Sequence, residues 1–62
     1  MNETPIELKH CTGTTADIAL VEYPAWPHYQ VEAWRPDGVF LLAGTDDEDT
    51  AEAIYLRASV AF

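Results

Sequence analysis

The chain has 62 residues, of which 48% are hydrophobic, and its eleven carboxylates outnumber its three Lys and Arg residues to give a formal net charge of −8. This length allows one small domain, residues 1–62, that buries only about 60% of the surface of its unfolded form. Nucleic acids and anionic membranes are bound mainly through Lys and Arg, so we expect neither to be a direct ligand. Self-repulsion at this charge lowers stability, which favours a partner with a basic surface.

The cysteine content and the first residues bear on the cellular compartment. Cys11 is the single cysteine, so an internal disulfide is excluded and a reducing compartment is favoured. Residues 1–5 lack the basic and apolar segments of a signal peptide, and no apolar run approaches the roughly 20 residues of a membrane span. We therefore expect a cytoplasmic protein without a cofactor or structural metal.

The first half of the chain predicts two strands. Residues 6–10 alternate apolar and polar, which places Ile6 and Leu8 on the inward side of a short strand. Residues 12–15 contain a glycine among threonines and predict a turn. A second, nearly continuous apolar strand follows at 18–23, and the next prolines end it because proline cannot donate to a ladder.

The middle of the chain predicts a hairpin. Residues 28–34 alternate, with one face formed by Tyr29, Val31 and Ala33 and the other by Gln30, Glu32 and Trp34. Arg35-Pro36-Asp37-Gly38 follows, with proline at the second turn position and a glycine that tolerates positive φ. The returning strand is predicted at residues 39–43.

A helix is predicted after the hairpin. Gly44 is expected to break the sheet pattern, and Thr45 to begin the helix, because Thr45 and Glu48 match a capping box. Leu56 and Val60 fall on a separate row and are expected to be partly exposed. An apolar stripe that can cover the sheet consists of Ala51, Ile54, Tyr55, Ala58 and Phe62.

These elements predict an α+β domain: an antiparallel sheet of three or four strands with one C-terminal helix packed on one face. Three segments resemble the AP2 and integrase arm-binding domains: Trp-Arg-Pro-Asp-Gly at 34–38, Leu-Ala-Gly-Thr at 42–45 and Thr-Ala-Glu-Ala-Ile-Tyr-Leu-Arg-Ala at 50–58. Those families place a three-stranded sheet before one helix and read DNA with Arg, Lys and Trp on the sheet. The matching strands here offer Gln30, Glu32 and Trp34, so the resemblance implies the fold and not DNA binding.

An acidic cluster is the first candidate site, and it consists of Asp46, Asp47, Glu48, Asp49 and Glu52. One interpretation is capping and solubility, since each favourable charge in a first helical turn contributes about 0.3–1 kcal/mol. The other is an electrostatic contact surface for Lys and Arg of a partner protein, which raises association rates. Glu22, Glu32 and Asp37 would extend that surface.

Other chemistry has less support. The acidic run lacks the alternating ligands and glycine of a calcium loop. His10, Cys11 and His28 could in principle meet around zinc, but adjacent strand residues point to opposite faces. No motif supports a Cys nucleophile, and we expect no enzymatic activity. Trp34 has two interpretations: a protein-binding surface beside the acids, or stacking on Pro36 over the turn.

Two functions follow as expectations. Small, strongly acidic domains without catalytic residues are similar to phage-encoded inhibitors, including anti-CRISPR proteins and DNA mimics. That resemblance implies a non-enzymatic inhibitor that binds the basic nucleic-acid-binding surface of a host defence complex. The alternative is a protein–protein interaction or assembly module, monomeric or homodimeric, whose contact is apolar and uses Leu56, Val60 and Trp34.

Overall fold

The computed structural model describes residues 4–62, so the sequence-based interpretation of residues 1–3 lies outside the described residues. The elements are β1 (Ile6–Cys11), β2 (Asp17–Glu22), β3 (Tyr29–Arg35), β4 (Gly38–Thr45) and α1 (Glu48–Ala61). The four strands form one antiparallel sheet in the order β1-β2-β3-β4, and α1 packs against one face. The predicted α+β architecture is confirmed.

The core lies between α1 and one face of the sheet. Directly paired residues in adjacent strands share a face, and the register aligns Ile18 with Ala33 and Leu20 with Val31. These four side chains are buried, as is Tyr55 of α1. We call this side of the sheet the helix-side face and the opposite side the open face. The alternation predicted for Val31 and Ala33 is confirmed.

β1 lies at one edge of the sheet, beyond the main contacts of α1 with β2, β3 and β4. Ile6 and Leu8 were predicted to face inward, but they are 56% and 38% exposed. Leu8 falls where the register shifts between Glu7 and Lys9. The prediction was wrong because the alternation in β1 does not reveal that the helix packs over the other three strands.

The start of α1 differs from the predicted capping box. Pairing of β4 with β3 continues through Gly44 and Thr45, so the glycine does not end the sheet. Asp47 is the N-cap of α1 and has no side-chain capping bond to the helix backbone. Its own N–H donates to Thr45 Oγ1 at 3.1 Å, and the Thr50 hydroxyl donates to Asp47 Oδ2 at 2.5 Å. The ladder therefore takes Thr45, the residue that the predicted capping box would have used as N-cap.

The end of α1 is fastened to the β1–β2 connection. The backbone N–H groups of Thr14 and Thr15 donate to the Phe62 carbonyl oxygen at 2.6 and 3.2 Å. A Cβ atom on Gly13 would lie 2.8 Å from the Phe62 carbonyl carbon and would overlap the Ala16 carbonyl oxygen. Glycine is thus required for this close approach of two backbone segments.

Candidate functional site

β4 forms the other edge of the sheet, and it is uncharged from Gly38 to Thr45. Its large side chains are exposed: Val39 by 63%, Phe40 by 46%, Leu41 by 61% and Leu42 by 38%. Edge strands are normally protected from pairing by Lys, proline or an inward charge. An uncharged apolar edge offers a row of unpaired backbone groups on which another strand can add.

The exposed side chains of β4 lie on both faces of the sheet. Phe40 is in register with Ala33 and belongs to the helix-side face, whereas Val39 and Leu41 belong to the open face. Leu42 is left out of register by a bulge in the pairing with β3. A strand added along β4 would therefore meet apolar side chains above and below its backbone.

The acidic cluster is divided between structural contacts and exposed carboxylates. Asp46 Oδ1 accepts a 3.0 Å bond from the His28 backbone N–H and lies 2.8 Å from His28 Nδ1. The backbone bond is the main reason that the pKa of Asp46 is lower than usual. Glu52 Oε2 lies 3.1 Å from Lys9 Nζ, so Glu52 is directed towards β1. These acids are used within the fold.

The remaining predicted acids lie at the start of α1, in the turn before β4 and at the end of β2. Glu48 and Asp49 are exposed in the first turn of α1, close to the end of β4. Asp37 is exposed in the turn before β4, where its Oδ1 lies 3.5 Å from Arg35 Nε. Glu22 is half-buried on the helix-side face, in register with Tyr29 of β3, which packs against the core. Burial, and after it the charges of Glu48, Glu22 and Asp46, raise the pKa of Tyr29, so these three acids lie near one another, whereas Asp37 lies at the far end of β4.

Glu32 was predicted to be exposed, and this prediction was wrong because the side chain is only 7% exposed. The Tyr23 hydroxyl donates to Glu32 Oε2 at 2.5 Å, and Trp34 Nε1 donates to Oε1 at 2.9 Å. The bond to Glu32 raises the pKa of Tyr23 to about 12, with burial and the carboxylate charge adding to the effect. Both carboxylate oxygens of Glu32 are thus engaged inside the molecule.

Trp34 also belongs to this open-face cluster. Its ring meets that of His10 edge-on, with centroids 4.9 Å apart and an angle of 67° between the planes. His10 stands between two carboxylates, 3.3 Å from Glu7 and 3.2 Å from Asp17. Trp34 and Pro36 line an open groove of about 500 Å³. The tryptophan therefore covers the sheet and is half-buried, which disfavours an exposed protein-binding contact, one of its two interpretations.

His10 and Cys11 lie on opposite faces, as predicted, since they pair with Ala19 and Ile18 of β2. Among residues 4–62, no group of three or more His, Cys, Asp and Glu side chains is placed to hold a metal ion. None of the helices in this part of the chain is long and apolar enough to cross a membrane.

Leu56 and Val60 are 57% and 88% exposed, which confirms the prediction from the helical spacing. Leu56 follows Glu52 by one turn, on the side of α1 that faces β1, whereas Trp34 lies on the open face. Trp34 is therefore separated from Leu56 and Val60, the other two residues of the predicted apolar contact. The β4 edge was missed, although four consecutive apolar residues at 39–42 depart from the alternation of a strand with one wet face.

Comparison with known protein families, with curated proteins and with solved structures finds no match for this chain. The resemblances to AP2-type domains and to anti-CRISPR proteins therefore stay predictions. The function has to be proposed from the geometry of the described residues.

Proposed function

We propose that the protein is a non-enzymatic assembly module that joins another polypeptide by accepting one of its strands at β4. The supporting observation is the exposure of Val39, Phe40 and Leu41 on an uncharged edge. In such β-augmentation, main-chain hydrogen bonds supply affinity, and side chains that alternate between the two faces supply specificity.

The magnitudes agree with a specific contact centred on a few side chains. Full burial of one large apolar side chain contributes about 1.5–3 kcal/mol. Association costs about 4–15 kcal/mol in lost rigid-body freedom, so several side chains of β4 have to be buried together. A charge introduced at Leu41, which is 61% exposed, should therefore weaken binding by at least tenfold without disturbing the core.

A photo-crosslinking amino acid at position 41 tests the proposal, with matched probes at position 60 of α1 and position 8 of β1. The protein would be mixed with a lysate of the cell of origin, washed in high salt and irradiated. We expect a defined adduct from position 41 and none from the control positions, because an apolar contact resists salt. Equal labelling at the three positions would refute a role for the β4 edge.

A second candidate is the acidic inhibitor that occupies a basic nucleic-acid-binding surface, as anti-CRISPR proteins and DNA mimics do. The observation in its favour is the exposure of Glu48 and Asp49 beside the end of β4. The double variant E48Q/D49N tests it, since Asp46 and Asp47 make structural bonds and are poor choices. The inhibitor requires binding that is weakened by this variant and by salt, whereas D37N at the opposite end of β4 should have no effect.

A further inference from the structure

We infer that the polypeptide paired at β4 is a second copy of this chain, so that two β4 strands run antiparallel about a twofold axis in one eight-stranded sheet. The inference rests on the proposed function and names its partner. An isologous contact of this kind requires a surface that complements itself, and three features of β4 meet that requirement.

The first feature is charge. Two copies that each carry a net charge of −8 repel over most of their surfaces. β1 and β3 contain ionisable residues of both signs, and β2 contains carboxylates alone, whereas β4 contains no ionisable residue. Along the stretch from Gly38 to Thr45, two strands can thus pair without a carboxylate in either strand.

The second feature is the order of side-chain sizes along β4. The large residues Val39, Phe40 and Leu41 occupy the first half, and the small residues Ala43 and Gly44 occupy the second. In an antiparallel pair centred between residues 41 and 42, each Phe40 stands opposite Ala43 of the second copy. Each Val39 likewise stands opposite Gly44 of the second copy, so large side chains meet small ones on both sides of the centre, where Leu41 and Leu42 of the two copies meet.

The sheet faces agree with this register. Phe40 and Ala43 are in register with Ala33 and Val31, which places both on the helix-side face. Val39 and Gly44 pair with residues of the open face. Opposed residues of the two copies would therefore share a face, as side chains in a continuous sheet must.

The third feature is the charge at the two ends of β4. Arg35 precedes the strand, on the helix-side face, with its guanidinium carbon 5.7 Å from the centre of the Phe40 ring. Glu48 and Asp49 follow the strand. Antiparallel pairing brings Arg35 of one copy to the acidic end of the other, where its guanidinium can contact these carboxylates in addition to Asp37 of its own copy, and the twofold axis repeats this contact.

Sedimentation equilibrium of the purified protein tests the inference, at 50 and 500 mM NaCl over a wide concentration range. We expect a dimer whose dissociation constant falls severalfold at the higher salt, because screening relieves the repulsion between the copies. Leu41→Lys, and independently Val39→Lys, should raise the dissociation constant at least tenfold. Val60→Lys introduces the same charge at an 88% exposed position of α1 and should leave dimerisation unchanged.

Hydrogen exchange provides a readout that does not depend on the variants. Dimerisation should slow exchange in β4 and leave β1 unaffected. A wild-type protein that stays monomeric, or a dimer that protects β1 or survives both lysine substitutions, would overturn the inference. Crosslinks from position 41 to another protein would then still support the proposed function, and their absence as well would mean that both proposals fail.

Discussion

The two edges of the sheet are built from opposite kinds of residue. β1 carries Glu7, Lys9 and His10, whereas β4 carries no ionisable side chain. Both strands contain a bulge in their pairing with the neighbouring strand, so a bulge does not distinguish them. The difference between the edges is therefore one of charge and of where the side chains are directed.

The polar side chains of β1 are engaged by the rest of the molecule. Lys9 reaches Glu52 of α1 on the helix-side face, and His10 packs against Trp34 on the open face. A strand approaching β1 would meet charges and would disturb these contacts, while one approaching β4 would meet only apolar groups. A sheet edge is therefore closed by what its side chains bind as well as by its backbone geometry.

The largest loss of stability is expected for a substitution at Gly13, which allows the end of α1 to approach the connection that follows β1. Gly13→Ala forces two backbone segments apart and should destabilise the protein by about 3 kcal/mol. Gly44→Ala in β4 is the milder comparison, since its Cβ would lie 2.9 Å from one side-chain atom, Pro27 Cγ, and would not meet backbone atoms of another segment. We expect a loss of about 1 kcal/mol or less for Gly44→Ala.

Urea unfolding of both variants measures these free energies of unfolding. Equal losses would mean that the backbone contact near Gly13 relaxes easily and that the two edges depend similarly on their glycines. A loss confined to Gly44→Ala would reverse the comparison and would show that β4 is the more tightly constrained edge.

Local patterns were sufficient to predict much of the fold. The alternation around Val31 and the turn at residues 35–38 defined the central hairpin, and the spacing of Ala51, Tyr55 and Ala58 defined the buried stripe of α1. These features are set by the strand and helix periods, which are visible in a single sequence.

The sequence-based predictions that were wrong concern burial, which depends on residues far away along the chain. Ile6 alternates like a buried strand residue, but the strand order places it at the edge of the sheet that α1 does not cover. Glu32 lies on the face that was predicted, and it is buried because Tyr23, nine residues away, donates to it. The exposure of Leu41 likewise follows from the edge position of β4.

A smaller effect is expected from Tyr23→Phe, which removes one of the two bonds to buried Glu32. The loss of a partner for a buried acceptor should cost about 1–3 kcal/mol. Because this cluster supports Trp34, against which His10 packs, exchange of backbone amides should increase more in β1 than in β4. Equal increases at both edges would show that the cluster does not close β1 in particular.

The Tyr23→Phe variant also shows how the contribution of Tyr23 to the free energy of unfolding depends on pH. The pKa of Tyr23 is raised from 10.0 to about 12 in the folded protein, so folding favours the protonated hydroxyl. Its contribution to stability is complete below pH 10 and is lost as the pH rises towards 12. Tyr29 and Tyr55 also have raised pKa values. The quantity to measure is therefore the difference in free energy of unfolding between wild type and Tyr23→Phe as a function of pH. A difference that stays constant across this interval would contradict the assigned bond.

The smallest effect concerns the ion pair between Lys9 and Glu52, whose side chains are both 45% exposed. A double-mutant cycle with K9A and E52A, followed by urea unfolding, should give a coupling of about 0.2–1 kcal/mol, as for other exposed pairs. A coupling of about 2 kcal/mol or more would mean that the pair holds β1 in place and that the edges differ in stability. The small coupling that we expect means that Lys9 adds little to the free energy of folding. Its role is to keep a charge at the β1 edge, which a pairing strand would have to bury, whereas β4 has no such charge.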